Sequence, residues 1–440
     1  MTTSPSVERL TPLDLLIPRT YINAVPWLSG FVFPTAATLE ESPSLEIRWH
    51  PDSPTVTLFD KGTIGVSYET LSAKRMPPED TPSEVWPVPR FIDDELFAAG
   101  APVFGASYFR FADEQAIGVC VCAHHSAVDA TGLADIVRLW SQQVAETTRL
   151  CASQGVGRFD RLLDALSPDL EAVSSQSFET TLKSHPEYST STPIFPAEFH
   201  PCEYKIFSIP LARVNSLKED LGRYMTDVPT TNTIACALIW SAITRARSER
   251  CPALVHKTSR LAVAVNGRQR LRADFSSPTN PYLANVVLYS LTQLSVEDLT
   301  SSEPAAFVSS FAKICDGLLH SQSPAHINAR SIAEVCSLVT RVEDYKTIFV
   351  GWDLFQSRDL TITSWAGLDL YEIEFGKALR KPEFVRIPGS EADGVGILLP
   401  RKRNLAATDT PDEVIEAMIM LWKDDMGALE QDHIWKSFTM

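Results

Sequence analysis

The stretch that most constrains this chain is an almost unbroken apolar run, Gln115-Ala-Ile-Gly-Val-Cys-Val-Cys-Ala123, that leads directly into His124 and His125. A run of that length and β-branched character is expected of a strand buried on both faces. Beyond Ser126-Ala127-Val128-Asp129-Ala130-Thr131-Gly132, the apolar residues Leu133, Ile136, Val137, Trp140 and Val144 recur at steps of three and four, the stripe of an amphipathic helix. Two histidines therefore occupy a strand-to-helix loop, where a rigid scaffold presents side chains to a cavity.

An imidazole is the side chain best suited to take a proton near neutral pH, and Asp129, four residues on, can fix its surroundings. Two other readings compete on residue type alone. His124, His125 and Asp129 could satisfy one another beneath the loop, or they could hold a metal. Metal is disfavoured, because no further His, Cys or carboxylate cluster at ligand spacing accompanies them.

His124-His125-x-x-x-Asp129 followed by Gly132 resembles the HHxxxDG signature shared by BAHD acyltransferases, chloramphenicol acetyltransferase-like enzymes and peptide-synthetase condensation domains. Ala130 stands where that signature has its first Gly, and stiffens the loop. The opening Leu10-Thr-Pro-Leu-Asp-Leu-Leu-Ile-Pro-Arg19, read as a proline-punctuated extended segment, and the strand-like Thr20-Tyr-Ile-Asn-Ala-Val25 are similar to the start of fungal BAHD enzymes. Where those carry a helix ending in a Pro-aromatic-Leu-x-Gly element, this chain passes from Val25 straight to Pro26-Trp-Leu-Ser-Gly30, so the first helix is expected to be truncated or absent.

Composition sets the outer bounds. With 440 residues, 44% apolar and 21% charged, the chain can bury a large core and should divide into about two or three domains. A net charge of −16 excludes the basic footprint that nucleic acid needs and gives no reason to dock on an anionic membrane. The eight cysteines are scattered, mostly in apolar runs, and read as core thiols of a reducing compartment. No cleavable signal opens the chain, and no run approaches the roughly 20 apolar residues of a spanning helix. A cytoplasmic protein is expected.

Further along, Leu45–His50, Thr55–Phe59 and Phe104–Phe111 alternate like strands, and Arg75–Pro89 is a proline-rich surface loop. His50 has no partner in sequence and reads as a surface or pocket-wall residue. A short helix is expected near Phe159–Leu166. Periodicity then fails over Ser184–Pro196, the best domain boundary. The expected division is residues 1–185, a crossover at 186–200, and residues 201–440. The second part restarts with a strand at Tyr204–Ile209 and a helix at Leu211–Leu221. A buried helix follows over Thr230–Arg247, capped by Thr231 or Asn232. Thr410-Pro-Asp-Glu413 has the form of a capping box, predicting a terminal helix striped by Val414, Ile415, Met418, Leu421 and Trp422.

Several of these segments add to the resemblance. Val263–Leu271 with Pro281-Tyr-Leu-Ala-Asn285 is similar to the family's strand, Arg-containing turn and Tyr-x-Gly-Asn element. Thr363-Ser364-Trp365 is similar to its Ser-Trp strand, and Phe375-Gly376 are the two residues kept of its Asp-Phe-Gly-Trp-Gly loop, with Glu374, Lys377 and Ala378 as departures. The resemblance spans nearly the whole chain. It implies an α/β fold of two similar chloramphenicol acetyltransferase-like domains with mixed sheets and a channel between them, His125 at the midpoint.

It further implies transfer of an acyl group from acyl-CoA, acetyl-CoA by default, to a hydroxyl of a small hydrophobic metabolite, by a monomer without metal. In that reading His125 is the base and Asp129 its companion. His124, Gly132, Thr363, Ser364 and Trp365 line the substrate site, while Arg268, Asn285, Phe375 and Gly376 are structural, with Arg268 pairing to Asp129. A condensation- or cyclase-like enzyme using the same His, and a degenerate metabolite binder without turnover, are the alternatives. Tyr282, Asn285 and the Thr363–Trp365 stretch favour the CoA branch, and retention of His125, Asp129 and Arg268 together speaks against a mere binder.

Overall fold

A computed structural model describes residues 6–24, 38–41, 45–49, 58–89, 92–145, 157–301, 304–377, 379–403 and 413–440. The expected loss of the first helix after Val25, His50, the capping box at 410–412, Cys151 and Ala378 lie outside those residues.

The largest sheet is mixed and six-stranded, in the order Cys202–Pro210, Val414–Trp422, Val395–Leu398, Leu360–Ser364, Thr258–Asn266, Val287–Ser295. Val395–Leu398 and Leu360–Ser364 run parallel, as do Leu360–Ser364 and Thr258–Asn266; the other pairs are antiparallel. A four-stranded sheet orders Tyr21–Ala24, Ile117–His124, Phe104–Arg110 and Leu58–Thr63, the last pair parallel. A second, all-antiparallel one holds Ser6–Arg9, Leu45–Trp49, Thr38–Glu41 and Ala101–Pro102. Among the described residues each of these three sheets draws its strands from one side of the crossover. The crossover itself contributes Tyr188–Ser189, paired with Phe349–Val350.

The apolar cores do not respect that division. Leu13, Leu162 and Leu166 share one core with Tyr282, Val286 and Ile332. Val119, Val121 and Leu133 share another with Trp365, Phe375 and Met418. The expected terminal helix is overturned here, since Val414–Trp422 is a strand inside the large sheet. Ile415, Ala417, Ile419 and Leu421 face one core, whereas Met418 and Met420 face the other. A strand buried on both faces is apolar throughout, and its residues then fit helical spacing as readily as alternation.

Two local expectations are also corrected. Thr11 and Asp14 form a capping box with Pro12 at the first turn, so Pro12–Leu15 is a short helix and not extended chain. The buried helix spans Thr231–Arg250 and its cap is Thr230, whose side chain accepts from the Thr233 amide. Every residue from Thr233 to Arg247 in it is buried. Its two buried arginines are paired, Arg245 with Asp432 at 2.8 Å and Arg247 with Asp393 at 3.0 Å. The helix beginning at Arg158 runs to Ser174, longer than expected.

Candidate active site

The strand Ile117–His124 is buried and flanked on both edges, and it ends at the first histidine. Asp129 then starts the helix Ala130–Val144 by accepting the Gly132 amide at 2.8 Å. Between these ends nearly every loop residue is tied down. The His124 amide donates to the Val103 carbonyl at 2.8 Å and the His125 amide to Thr20 at 2.7 Å. Ser126 Oγ donates to the Ile17 carbonyl at 3.1 Å, and Arg158 Nη1 donates to that of Ala127 at 2.7 Å. Asn285 Nδ2 donates to the His125 carbonyl at 2.9 Å. A base must be held in place to act repeatedly, and this backbone is held from four separate segments.

Asp129 is fully engaged elsewhere. Its oxygens accept from Arg268 Nη1 at 2.9 Å and Nη2 at 2.8 Å, as well as from the amides of Gly132 and of Val286 at 3.0 Å. Arg268 in turn donates to the carbonyls of Tyr282 at 2.9 Å and Ala284 at 2.7 Å. Both side chains are 1% exposed. With four donors the carboxylate has no capacity left for an imidazole. The pairing implied by the resemblance is thus present, and it joins the histidine loop to the segment following Asn266.

Burial is the largest influence on both rings. His124 is pushed down to about 4, with His125 and Arg19 adding to the effect. His125 is also lowered by burial, against the opposing pull of its own carbonyl, the Asp129 charge, Val128 and Asn285. Both are therefore neutral near pH 7, the form in which an imidazole accepts a proton. The Ser126 amide donates to His124 Nδ1 at 3.2 Å, which places the His124 proton on Nε2.

The other sequence-predicted residues scatter. His124 has no solvent exposure and its ring meets Tyr21 edge-on at 5.7 Å. Gly132 is a packing glycine, because a Cβ there would collide with the Leu283 carbonyl. Trp365 lies in the core. Phe375 packs edge-on against Trp140 at 6.4 Å, and Gly376 turns its loop with φ +82°. Asn285 is completely buried beside the histidine loop.

A cleft of about 1200 Å³ runs between the helix after the histidine loop and the 367–379 segment, lined by Thr131, Asp135, Arg138, Asn266, Phe375 and Gly376 among others. A second, of about 560 Å³, adjoins it at Gly367 and is lined by Lys218, Asn232, Ser364, Arg401 and Arg403 among others. Ser364 thus reaches a cleft, whereas Thr363 and His125 line neither of the two. Sequence reasoning missed Asp14 and Arg158, which brace the loop from below. The Thr11-Pro-Leu-Asp14 capping signature was the available signal for the first; nothing local marked the second.

Among the described residues no group of His, Cys, Asp and Glu is arranged to hold a metal, and no helix is long and apolar enough to cross a membrane. The described cysteines are free thiols.

Comparison with known proteins places this architecture. TRI101 of F. graminearum, solved with coenzyme A and T-2 mycotoxin, superposes with a TM-score of 0.76 at 15% identity over 99% of both chains, a likeness of fold. A trichothecene 8-O-acetyltransferase of Fusarium sporotrichioides is 28% identical over 421 residues, covering 88% of this chain and 82% of its own. The O-acetyltransferase dmxR13 of Cryptosporiopsis sp. is 26% identical over 404 residues, covering 90% and 80%. The Transferase family model matches residues 92–434, most of the chain. With the HHxxxD loop braced as described, the chain belongs to the Transferase family and is an acyltransferase of the BAHD type.

Proposed function

We propose that this enzyme moves an acyl group, acetyl by preference, from acyl-CoA directly to a hydroxyl of a small hydrophobic secondary metabolite, with His125 as general base. The observation that carries the reading is the His125 imidazole on a loop whose backbone is fixed from both sides, while the neighbouring carboxylate is spent on Arg268. His125 takes the acceptor's proton as its oxygen attacks the thioester carbonyl. The tetrahedral intermediate then expels the CoA thiolate, which recovers that proton from the same imidazole.

The two adjoining clefts suit the donor. Lys218, together with Arg401 and Arg403, which are paired to Glu413 and Asp369, and the start of the long helix at Thr231 offer the smaller one donors suited to phosphates. The larger one leads from there past Thr131 toward the histidine loop. Ser364, on the wall of the smaller cleft, or Thr363, on the opposite face of the same strand, is the candidate hydroxyl for steadying the oxyanion. The relatives named as O-acetyltransferases support acetyl-CoA as donor, and the trichothecene enzyme supports a small secondary metabolite as acceptor. The enzyme works as a monomer in the cytoplasm in this reading.

An acyl-enzyme is not part of it. Ser126 is 1% exposed with its hydroxyl committed to Ile17, and burial pushes the Cys120 thiol up to about 12. Coenzyme A release screened over acyl-CoAs and alcohols should find a productive pair. On that pair His125→Ala should lower turnover at least about a hundredfold with the fold intact. Double-reciprocal lines should intersect, and protein incubated with acyl-CoA alone should keep its mass. Parallel lines with a gain of one acyl group would overturn direct transfer.

A further inference from the structure

One face of the helix Ala130–Val144 lines the larger cleft, from Thr131 through Asp135 and Arg138 to Gln142, at the three- and four-residue steps that keep side chains on one side. Leu133, Val137 and Trp140, on the other side, lie in the core. Asp135 and Arg138 are the helix's only charged residues, and both are on the cleft face. Arg138 Nη2 meets Asp135 Oδ1 at 2.7 Å, with the side chains 36% and 9% exposed.

This pair is left open, unlike the one beside it. Asp129 accepts from Arg268 and two backbone amides, and Arg268 spends its remaining donors on Asn266 and two carbonyls. Among the described residues the Arg138 guanidinium meets Asp135 alone, and its buried Nε has no hydrogen-bond partner. Asp135 receives no second donor there, and burial holds its carboxyl above the ordinary range against the pull of Arg138 and Arg268. A partly exposed ion pair three residues apart on a helix contributes little to stability. Polar groups sunk in a wall are normally bonded, so the spare capacity of these two faces an occupant of the cleft.

The open groups define that occupant's chemistry. A free carboxylate oxygen accepts and a free guanidinium nitrogen donates. A phosphate beside Asp135 or an ammonium beside Arg138 would meet like charge. A secondary amide meets neither, and offers an N–H and a carbonyl together. Coenzyme A carries such amides in its pantetheine arm, between the thiol and the phosphates. With the thioester at the histidine loop, the arm trails down the cleft from Thr131, and Asp135 and Arg138 follow about one and two turns farther along the helix.

We propose that Asp135 and Arg138 grip a secondary amide of the donor's pantetheine arm, Asp135 accepting its N–H and Arg138 donating to its carbonyl, and that they thereby make the enzyme prefer an intact coenzyme A thioester to a truncated one. The inference rests on the larger cleft being the donor's. Neither residue touches the reacting atoms, so the pair acts on binding and leaves the chemical step alone.

The test compares Asp135→Leu, Asp135→Asn, Arg138→Met and Gln269→Trp, the last adding bulk at an exposed position elsewhere on the cleft wall. Donors are acetyl-CoA and S-ethyl thioacetate, a thioester without an amide, and the Kd of coenzyme A itself is read by calorimetry. In Asp135→Leu and Arg138→Met, that Kd and the KM for acetyl-CoA should rise at least about tenfold with kcat unchanged. Rates with S-ethyl thioacetate should stay at the wild-type level. Asp135→Asn keeps an oxygen for the N–H and should recover most of the loss, whereas a mere ion pair would fail equally with Asn and Leu. If Asp135→Leu does not fold, Arg138→Met and Asp135→Asn decide. Gln269→Trp should weaken coenzyme A as well. Weakening by Gln269→Trp beside wild-type affinity in the pair variants, or equal losses on both donors, overturns this inference alone. Wild-type affinity in Gln269→Trp shows that the larger cleft is not the donor's, and overturns that reading and this inference together.

Discussion

Two buried ionic clamps tie the first part of the chain to the second, and they are built from opposite materials. At the histidine loop, Asp129 meets the planar fork of Arg268 at 2.8 and 2.9 Å, and a guanidinium keeps its charge at any pH a protein survives. At the crossover, His185 bonds Glu187 through Nδ1 at 2.7 Å and Glu334 through Nε2 at 3.1 Å. Carboxylates only accept, so both ring nitrogens must donate, and His185 is an imidazolium. Burial alone would lower its pKa, yet the two carboxylates hold it above the ordinary histidine value. Arg330 faces the same cluster, at 3.2 Å from Glu334, and the Tyr188 ring lies beside His185. The cation of the clamp beside the chemistry is a guanidinium, which keeps its proton; the cation of the clamp at the crossover is an imidazolium, which can lose one.

Breaking the first clamp should have the largest effect. Asp129→Ala leaves a buried guanidinium uncompensated, which costs roughly 3–5 kcal/mol. The melting temperature should fall together with activity, and by a similar amount from pH 6 to 9. A variant that is fully stable and merely slow would show that the pair does not carry the loop.

The same loop does acquire a pH dependence, from the histidine next door. His124 binds a proton at about pH 4 when folded but near 6.5 when unfolded. Below 6.5 the unfolded chain therefore binds more protons, and stability should drain away as pH falls from about 6.5 to about 4, by on the order of 3 kcal/mol in all. Urea titrations of wild type and His124→Phe across that range check this; equal slopes would mean the acid loss arises elsewhere.

On the alkaline side the sign reverses. His185 has its folded value raised, so its contribution is fully present below about pH 6.5 and is lost as pH climbs through that raised value. Wild-type melting temperature should decline over that window by less than the Asp129→Ala loss, and His185→Gln should flatten the decline. A third pair sharpens the contrast. Arg110 and Asp60 meet at 2.9 Å with side chains 40% and 46% exposed. Water and salt screen such a pair, so Arg110→Ala should leave the melting temperature unchanged.

The capping signature shows where sequence reading succeeds and fails. Thr11-Pro-Leu-Asp14 carries it and does open a helix. Thr410-Pro-Asp-Glu413 carries it too, yet the chain from Val414 is a strand paired to Cys202–Pro210 on one edge and Val395–Leu398 on the other. A cap satisfies the first amides of a helix and contributes about 1 kcal/mol. Nine residues with a partner strand on each edge and a core on each face gain far more than that as a strand.

The strand Ile117–His124, the helix behind the histidines and the long buried helix were all determined by the sequence itself, because each is dictated by neighbours a few residues away. The Asp129–Arg268 pairing was legible only through likeness to a family. What the tertiary structure alone decided are the contacts at long separation. Asn285 reaches Asp14 across 271 positions, and His185 reaches Glu334 across 149. Local periodicity records which face of an element is apolar, but a buried polar side chain is chosen by whatever other element supplies its missing donor or acceptor. That partner is fixed only once the sheets and helices have packed.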